Sequence, residues 1–308
     1  MIEQEIKELE HMEKSDVRAL IAELLNNQRQ IKTNRELYYN EELDQIWIRF
    51  YYASVTAIEN TDSNDLFDEY HELVSKTHEY KLPYYISKDQ YLYTWVDLQP
   101  NGKLKSIYSG RHRNPKNYID EDIQTMQKRF ESYRDLLKIQ RFSDESLIDH
   151  LQRISRQHKF NAEHVVPLSW FQAKEPMKGD LHHLFACEPK CNSLRSNYPY
   201  YEYESEETPM NFRSDCGKQG MNRFEPSYGK GIVARATLYF LLRYPNTITK
   251  KFQNYIDIPL LIRWHKKFKV TEYEKHRNKA IFEIQGNRNP FIDFPELLTE
   301  ISFPEKYR

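Results

Sequence analysis

Residues 160–199 constrain the fold most, because His, carboxylate, amide and Arg side chains occur there beside short β-like runs. Residues 162–166 have the pattern of a strand or a strand edge, and residues 181–186 predict a second short strand. Pro189 then opens a predicted helix over residues 189–195. The predicted order is strand, loop, strand, helix. Such a unit can hold one side chain from each half around a single small cation.

Three side chains in this stretch suit the hydrolysis of a phosphodiester bond: Glu163, His164 and Asn192. A neutral imidazole that titrates near pH 7 suits a general base, so His164 is the candidate for activating water. Mg²⁺ prefers oxygen ligands and needs only one or two from the protein, which Glu163 and Asn192 could supply. Consecutive strand residues point to opposite faces. A bulge or a strand end is therefore expected at Glu163 and His164.

The amino-acid sequence of this stretch resembles that of the bacterial endonuclease I family of ββα-metal (His-Me) finger nucleases. The resemblance is strongest to the ribonuclease-like branch from Gram-positive bacteria. The resemblance follows family order from about residue 88 to the end of the chain. Single strings are weak evidence, whereas the ordered set is strong. The matching segments are residues 93–98, 107–110, 161–167, 180–184, 191–199, 224–226, 234–236, 264–265 and 285–293.

The resemblance implies an α+β protein, with the ββα-metal finger at about residues 159–199 inside a mixed, largely helical nuclease domain. It implies that His164 is the general base, that Glu163 and Asn192 bind Mg²⁺, and that Mn²⁺ or Ca²⁺ are alternative occupants. The implied reaction is cleavage of RNA, DNA or both, with little sequence preference and with 5′-phosphate products. Arg195 is the candidate for a catalytic contact to a neighbouring phosphate.

The chain also departs from the family pattern. Ser196 stands where the family more often has Gly, and Tyr201 stands where the motif usually ends in Gly. The loop after the first predicted strand offers only Lys174 and Lys178 as phosphate contacts. Arg111 and Arg113 are further expected contacts to nucleic acid. Within the finger, the residues expected to support the site are Asp180, His182 and Asn197.

The charge balance bears on the kind of ligand. Lys and Arg number 45 against 46 Asp and Glu, which gives a net charge of −1. Affinity for a polyanion depends on a local basic patch, so this balance lowers the expected affinity without excluding a nucleic-acid substrate. The chain has no apolar run long enough to span a membrane, so no membrane association is expected. A protein inhibitor is a further candidate partner.

Cys187, Cys191 and Cys216 allow three interpretations. They are free thiols, one disulfide with one free thiol, or a structural zinc site that borrows a His; zinc is disfavoured because no paired C-x₂-C partner exists. Residues 1–15 are charged throughout and lack the apolar centre of a secretory leader. The chain as given is therefore expected to be cytoplasmic, with secretion as the alternative if a leader has been removed.

Residues 1–78 are expected to be an N-terminal helical extension and residues 79–308 the nuclease domain. Residues 16–30 have an amphipathic helical pattern, and a second apolar face follows at Leu43, Ile46, Trp47 and Phe50. Packing of this extension on the nuclease domain is the favoured interpretation, and a separate binding role is the alternative. Alternating residues 91–98 and 104–108 flank Asn101-Gly102. This pattern predicts a β-hairpin.

Two other functions remain open from the sequence. One is a catalytically silent protein that binds nucleic acid through a retained finger. The other is a phosphodiesterase that acts on small substrates. The intact Glu-His pair argues against silent binding, because binding alone does not require a general base.

Overall fold

The protein was analysed as a computed structural model, which describes residues 17–56, 63–137, 144–204 and 212–307. Helices dominate these residues, which confirms the mixed, largely helical α+β class predicted from the sequence. The α-helices are α1 (Val17–Thr33), α2 (Arg35–Tyr38), α3 (Glu41–Tyr51), α4 (Ala53–Thr56), α5 (Ser63–Thr77), α6 (Tyr84–Ile86), α7 (Pro115–Leu137), α8 (Asp144–Gln157), α9 (Pro189–Arg195), α10 (Lys230–Arg243), α11 (Lys250–Gln253), α12 (Ile258–Lys267), α13 (Glu272–Gln285) and α14 (Pro290–Asp293).

The strands are short and form three small antiparallel sheets in the described residues. Strand β1 pairs with β2, β3 pairs with β4, and β6 lies between β5 and β7. The strands are β1 (Leu104–Lys105), β2 (His112–Arg113), β3 (Ala162–His164), β4 (Leu184–Ala186), β5 (Phe212–Ser214), β6 (Gly217–Gly220) and β7 (Arg223–Pro226). A π-helix and five 3₁₀ turns complete the elements: Ser87–Val96, Leu168–Trp170, Met177–Gly179, Leu181–His183, Pro295–Thr299 and Glu305–Tyr307.

Local sequence explains where the long helices start and stop. Helix α13 begins with a capping box in which the Thr271 side chain accepts from the Glu274 amide and the Glu274 carboxylate accepts from the Thr271 amide. It ends at Gly286, whose φ of +90° is a left-handed conformation that glycine adopts at low cost. Helix α12 is capped by Asp257, which accepts a hydrogen bond from the amide of Leu260.

The β3–β4 hairpin lies between two apolar clusters. Ala162, Leu184 and Ala186 belong to a cluster with α1, the π-helix and α13. Phe185 belongs to the larger cluster, which includes nearly all of the apolar residues of α10. Because strand side chains alternate between two faces, each face of the hairpin is covered by a different cluster. This double burial fixes the register of the hairpin and hence the positions of its polar side chains.

The N-terminal helices contribute to the same two clusters. Leu24 and Ile31 of α1 pack with the π-helix cluster, and Phe67 and Val74 of α5 pack with the larger one. The helix expected over residues 16–30 is thus present and packed against the rest of the chain. The domain boundary at residue 78 stays a prediction.

The apolar face expected to pack inward on α3 was placed on the wrong side of the helix. The helix buries Asp44, Ile48 and Tyr51, and the Asp44 carboxylate binds the buried Arg288 guanidinium at 2.9 Å. The outward residues are exposed: Leu43, Ile46, Trp47 and Phe50. Apolar periodicity does not predict a buried ion pair on the inner face of a helix, because both members of the pair are charged.

The first strand of the hairpin predicted around Asn101-Gly102 was also wrong, although the turn is present. The amide of Gly102 donates to the Gln99 carbonyl at 2.8 Å, and Leu98 forms an isolated antiparallel bridge with Leu104. The preceding residues form the π-helix instead. Most of that helix is buried, so its sequence carries no 3.6-residue period and the alternation of its apolar residues misled the prediction.

Among the described residues, helices are either too short or too polar to cross a lipid bilayer.

Candidate functional site

The hairpin and helix α9 form the unit expected over residues 160–199. Strands β3 and β4 pair in unbroken register, with Glu163 opposite Phe185 and His164 opposite Leu184. The strand ends at His164, so the expected strand end is confirmed and no bulge occurs within β3. The second strand is shorter than expected, because a 3₁₀ turn occupies Leu181–His183. Helix α9 spans Pro189–Arg195, as predicted.

Glu163 is a buried carboxylate, and its close polar contacts fall on one oxygen. Its Oε1 accepts a hydrogen bond from the Tyr108 hydroxyl at 2.7 Å and lies 3.5 Å from Nε of Arg195. Tyr200 extends this network through a 2.9 Å hydroxyl contact with Tyr108. Burial raises the pKa of Glu163 to about 7, against the opposing effects of Arg195 and Tyr108. Oε2 is therefore the oxygen through which Glu163 can approach a cation.

Asn192 of α9 is held beside Glu163. Its Nδ2 donates to the carbonyl oxygen of Ala162 at 2.8 Å, which leaves Oδ1 as the oxygen that can bind a ligand. The ammonium of Lys159 lies 3.5 Å from that oxygen and also acts electrostatically on Glu163. Lys159 was not among the predicted site residues. The sequence signal was its place at the start of the finger, shortly after the basic residues Arg153 and Arg156.

His164 is fixed in one orientation by main chain. Its Nε2 lies 2.8 Å from the carbonyl oxygen of Lys178, which can only accept a hydrogen bond. Nε2 therefore carries the proton, and Nδ1 of the neutral ring is an acceptor. Burial and the neighbouring His183 lower the pKa of His164 well below its ordinary value. The ring contacts Tyr84 and His183 at centroid distances of 5.1 and 5.4 Å.

The segment that presents the Lys178 carbonyl is itself anchored. The Glu175 carboxylate accepts from the amides of Tyr84 at 2.9 Å and Gly179 at 2.8 Å. The Ser87 hydroxyl donates to the Gly179 carbonyl at 2.6 Å. A Cβ on Gly179 would lie 1.9 Å from the carbonyl oxygen of Leu82, so only glycine fits there. Glu175 was missed at the sequence level because its bonding partners are distant backbone amides.

Asp180 and His182 lie behind the hairpin rather than at its polar end. Asp180 accepts from the amide of His182 at 2.9 Å, and from the hydroxyls of Tyr239 at 2.9 Å and Tyr244 at 3.0 Å. Nε2 of His182 lies 3.2 Å from the Asn287 carbonyl. Both residues are buried. These contacts fit the supporting role expected from the sequence.

Arg195 is completely buried, which separates it from solvent. Its guanidinium donates to the carbonyls of Val165 at 2.7 Å and Ser196 at 3.2 Å, in addition to its contact with Glu163. In this geometry Arg195 holds Glu163 and the end of β3 in place. It does not present its guanidinium to an external phosphate.

The chain after α9 turns sharply at Ser196. This residue has φ +52° and ψ −128°, a conformation that favours glycine and that accounts for the family's usual Gly at this position. The carbonyl of Asn197 then accepts from the Trp170 indole at 3.2 Å, and its side chain lies 3.4 Å from the Ser169 hydroxyl. Asn197 thus ties down the turn after the helix, the role expected for it.

The predicted basic contacts differ in their availability to a phosphate. Arg111 forms an ion pair with Asp215, and Arg113 forms one with Glu121. Lys178 is largely buried, with its ammonium 5.0 Å from the Tyr84 ring centroid. Lys174 is exposed on the loop between β3 and β4. The two arginines must therefore give up acidic partners before they can bind nucleic acid.

The cysteines follow the disulfide interpretation. Cys191 of α9 is bonded to Cys216, and Cys187 is a buried free thiol. The disulfide attaches the helix that carries Asn192 to the β5–β7 sheet. In the described ranges no group of three or more His, Cys, Asp and Glu side chains is arranged to hold a metal. With two of the three thiols in a disulfide, a zinc site built on the cysteines is not found.

Several curated nucleases are similar to part of this chain. An extracellular ribonuclease of Bacillus amyloliquefaciens is 34% identical over 138 residues, which cover 40% of this chain and 46% of that protein. An extracellular ribonuclease of Bacillus subtilis (strain 168) is 31% identical over 165 residues, covering 46% and 54%. A periplasmic deoxyribonuclease of Aeromonas hydrophila is 27% identical over 119 residues, covering 38% and 48%.

The chain spans about half the length of the curated relatives it matches. The family model of Endonuclease I matches residues 99–296, well over half of the chain, and includes both strands of the hairpin and helix α9. The resemblance seen in the sequence is thereby confirmed, and the chain belongs to the endonuclease I family.

Proposed function

We propose that the chain is a metal-dependent endonuclease that hydrolyses phosphodiester bonds of RNA, DNA or both, with His164 as the general base. One observation carries the proposal: the end of β3 combines a neutral, oriented imidazole with a buried carboxylate and an amide oxygen. Consecutive Cα atoms are only about 3.8 Å apart, so Glu163 and His164 can flank one phosphate at the strand end despite their opposite directions.

The donor set fits a hard divalent cation. Oε2 of Glu163 is left by the contacts described above, and Oδ1 of Asn192 would become a ligand once a cation displaces the Lys159 ammonium that lies 3.5 Å away. The raised pKa of Glu163 indicates that its neighbours compensate the buried negative charge only in part. A bound cation would offset the rest of that charge. Mg²⁺ fits best, with Mn²⁺ or Ca²⁺ as alternatives. Bound there, it would neutralise charge on the scissile phosphate and on the leaving oxygen.

The remaining steps belong to the chain's own residues. His164 accepts a proton from water at Nδ1 while Nε2 keeps its own proton and donates it in a hydrogen bond to the Lys178 carbonyl, so the ring keeps its orientation as it becomes charged. Tyr108 and Arg195 hold Glu163 and so keep its free oxygen in place. We therefore assign Arg195 a positioning role in place of the phosphate contact expected from the sequence.

Two lysines near the end of β3 bind the substrate phosphates in this proposal. Lys159 has its ammonium beside Asn192, and Lys174 is exposed on the loop that follows β3. Cations placed beside a scissile phosphate position it and stabilise developing charge. Contact to neighbouring phosphates by Lys178, Arg111 or Arg113 would require the displacement of their present neighbours.

The cellular location is proposed to be outside the cytoplasm. Several relatives are named extracellular or periplasmic proteins, and disulfides such as Cys191–Cys216 persist in oxidising compartments. These two observations outweigh the cytoplasmic location expected from the charged residues 1–15.

The test is a panel of matched single- and double-stranded RNA and DNA, together with small phosphodiesters, each with Mg²⁺ and with EDTA. The proposal predicts Mg²⁺-dependent cleavage within polymers and 5′-phosphate ends. Binding without cleavage would favour the catalytically silent alternative. Cleavage of small diesters alone would favour the phosphodiesterase alternative.

A further inference from the structure

Helix α3 is apolar on the side that faces away from the protein. Leu43, Ile46, Trp47 and Phe50 follow one another along this side, and Phe50 is 75% exposed. Large apolar side chains occur singly on most soluble proteins, whereas four on one helix form a contiguous patch. We name these four residues the α3 stripe. The opposite side of the same helix is packed on the protein and attaches the helix to its own fold, while Trp47 at one edge of the stripe also contacts α13.

The aromatic residues of the stripe are held in place before any partner arrives. The Trp47 ring meets the Phe50 ring edge to face at a centroid distance of 6.3 Å, and it lies 6.2 Å from the ring of Phe282 on α13. A pre-ordered aromatic side chain loses little conformational entropy on binding. Trp is also among the residues that contribute most to binding at protein interfaces.

The spacing of the stripe indicates the shape of its partner. Leu43, Ile46 and Phe50 are separated by three and four residues, which is the repeat of a helix that packs along another helix. Glu42 and Arg49 are both exposed, and their separation of seven residues places them on the same edge of the stripe. A helix that packs beside α3 would therefore meet the acidic side chain of Glu42 at one end of this edge and the basic side chain of Arg49 at the other.

The arrangement of charges selects one orientation. When two copies of a helix pack antiparallel about a twofold axis, identical edges face each other with opposite ends aligned. Glu42 of one copy then faces Arg49 of the other, twice. A parallel pair would place Glu42 near the partner's other edge, where Trp47 lies, and would leave both charges without a complement. The helix is therefore complementary to itself only in the antiparallel orientation.

We propose that the α3 stripe binds the same stripe of a second copy, giving an antiparallel, twofold-symmetric homodimer. In it Leu43 packs near Phe50 of the other copy, and Ile46 packs near Trp47. A contact built on one 11-residue helix is small, so we expect reversible association in the micromolar range. The proposed dimer does not depend on the proposed nuclease activity.

Sedimentation equilibrium of the full chain tests the proposal across about 1–100 µM. The expected mass rises from 37.4 kDa toward twice that value. Phe50→Glu should keep the mass at that of the monomer, whereas Phe130→Glu, at an exposed aromatic residue on α7, should leave association intact. Circular dichroism melting checks that each variant is folded.

The charge pair gives the specific test. Arg49→Glu should weaken association at least about tenfold through repulsion from Glu42, and the double variant Glu42→Arg with Arg49→Glu should restore it. A wild-type protein that stays monomeric would overturn the proposal, whether another part of the chain or a different protein covers the stripe. Dimers that persist in Phe50→Glu, or that the double variant does not restore, would also overturn it.

Discussion

At Glu163 a carboxylate is buried without full compensation of its charge. Tyr108 donates one hydrogen bond and Arg195 lies nearby, yet the pKa of Glu163 is still raised to about 7 by burial. Such a group binds a proton when no other cation is present. The same property that makes Glu163 costly in the free protein makes it a good ligand for a divalent cation.

The pKa of Glu163 predicts how the metal-free protein responds to pH. Its folded value of about 7 exceeds the ordinary 4.5, so the folded state binds more protons than the unfolded chain between these values. The contribution of Glu163 to the free energy of unfolding should therefore fall as the pH rises through this window, by on the order of 3 kcal/mol. Buried histidines such as His164, whose pKa is lowered, act in the opposite direction, so the difference between the wild type and Glu163→Gln isolates the contribution of Glu163. Urea unfolding in EDTA from pH 4 to 8 measures the effect. The control, Glu163→Gln, should lose this component; an identical pH dependence in that variant would refute the assignment.

Ser196 offers a second prediction at the scale of one residue. Its φ of +52° strains any side chain, so Ser196→Gly should stabilise the protein by about 1 kcal/mol. Ser193→Gly is the matched control, because Ser193 is exposed within α9 and glycine in a helix costs about 0.5–1 kcal/mol. Thermal unfolding distinguishes the two variants. Equal destabilisation by both would contradict the strain argument.

Residue types and their order predicted which side chains lie near one another in this stretch, whereas their catalytic and metal-binding roles stay predictions. The Glu163-His164 pair, Asn192 and the supporting contacts of Asp180 and Asn197 were accessible because the motif keeps their spacing. The burial of Arg195 was not accessible. It depends on the Val165 carbonyl and the Tyr200 ring, which reach it only after the chain folds.

At the scale of elements, the loop before β4 holds His164, the proposed general base. Glu175 bonds two backbone amides and so holds the segment whose carbonyl fixes His164. Glu175→Ala should lower kcat about tenfold by freeing that segment. The neighbouring Lys174→Ala should raise KM and leave kcat close to that of the wild type. Steady-state kinetics of both variants tests the distinction, and an unchanged kcat in Glu175→Ala would contradict it.

Element types were predictable where one side of an element is apolar and the other is polar. Helix α1 has that pattern, and it was predicted correctly. The π-helix over Ser87–Val96 is buried on most sides, and α3 carries an exposed apolar stripe opposite a buried ion pair with Arg288. In both, tertiary packing removes the relation between polarity and exposure on which sequence periodicity depends.

The whole molecule has almost no net charge, and several of its basic side chains are already paired with acids. Nucleic acid should therefore release few counterions on binding. If Lys159 and Lys174 are the contacts, log(kcat/KM) should fall against log[salt] with a slope of about −1.4 to −1.8. Steady-state cleavage from low to high salt measures the slope. A slope near −6 would require Arg111, Arg113 or other cations to contribute.

The decisive measurement is the rate of RNA and DNA cleavage by the wild type and by His164→Ala, with Mg²⁺ and with EDTA. Removal of the general base should lower the Mg²⁺-dependent rate at least about 100-fold, while folding and substrate binding are retained. His112→Ala, which alters an exposed His outside the finger, should cleave at the wild-type rate. Wild-type cleavage by folded His164→Ala would contradict the assignment of His164 and the finger mechanism with it.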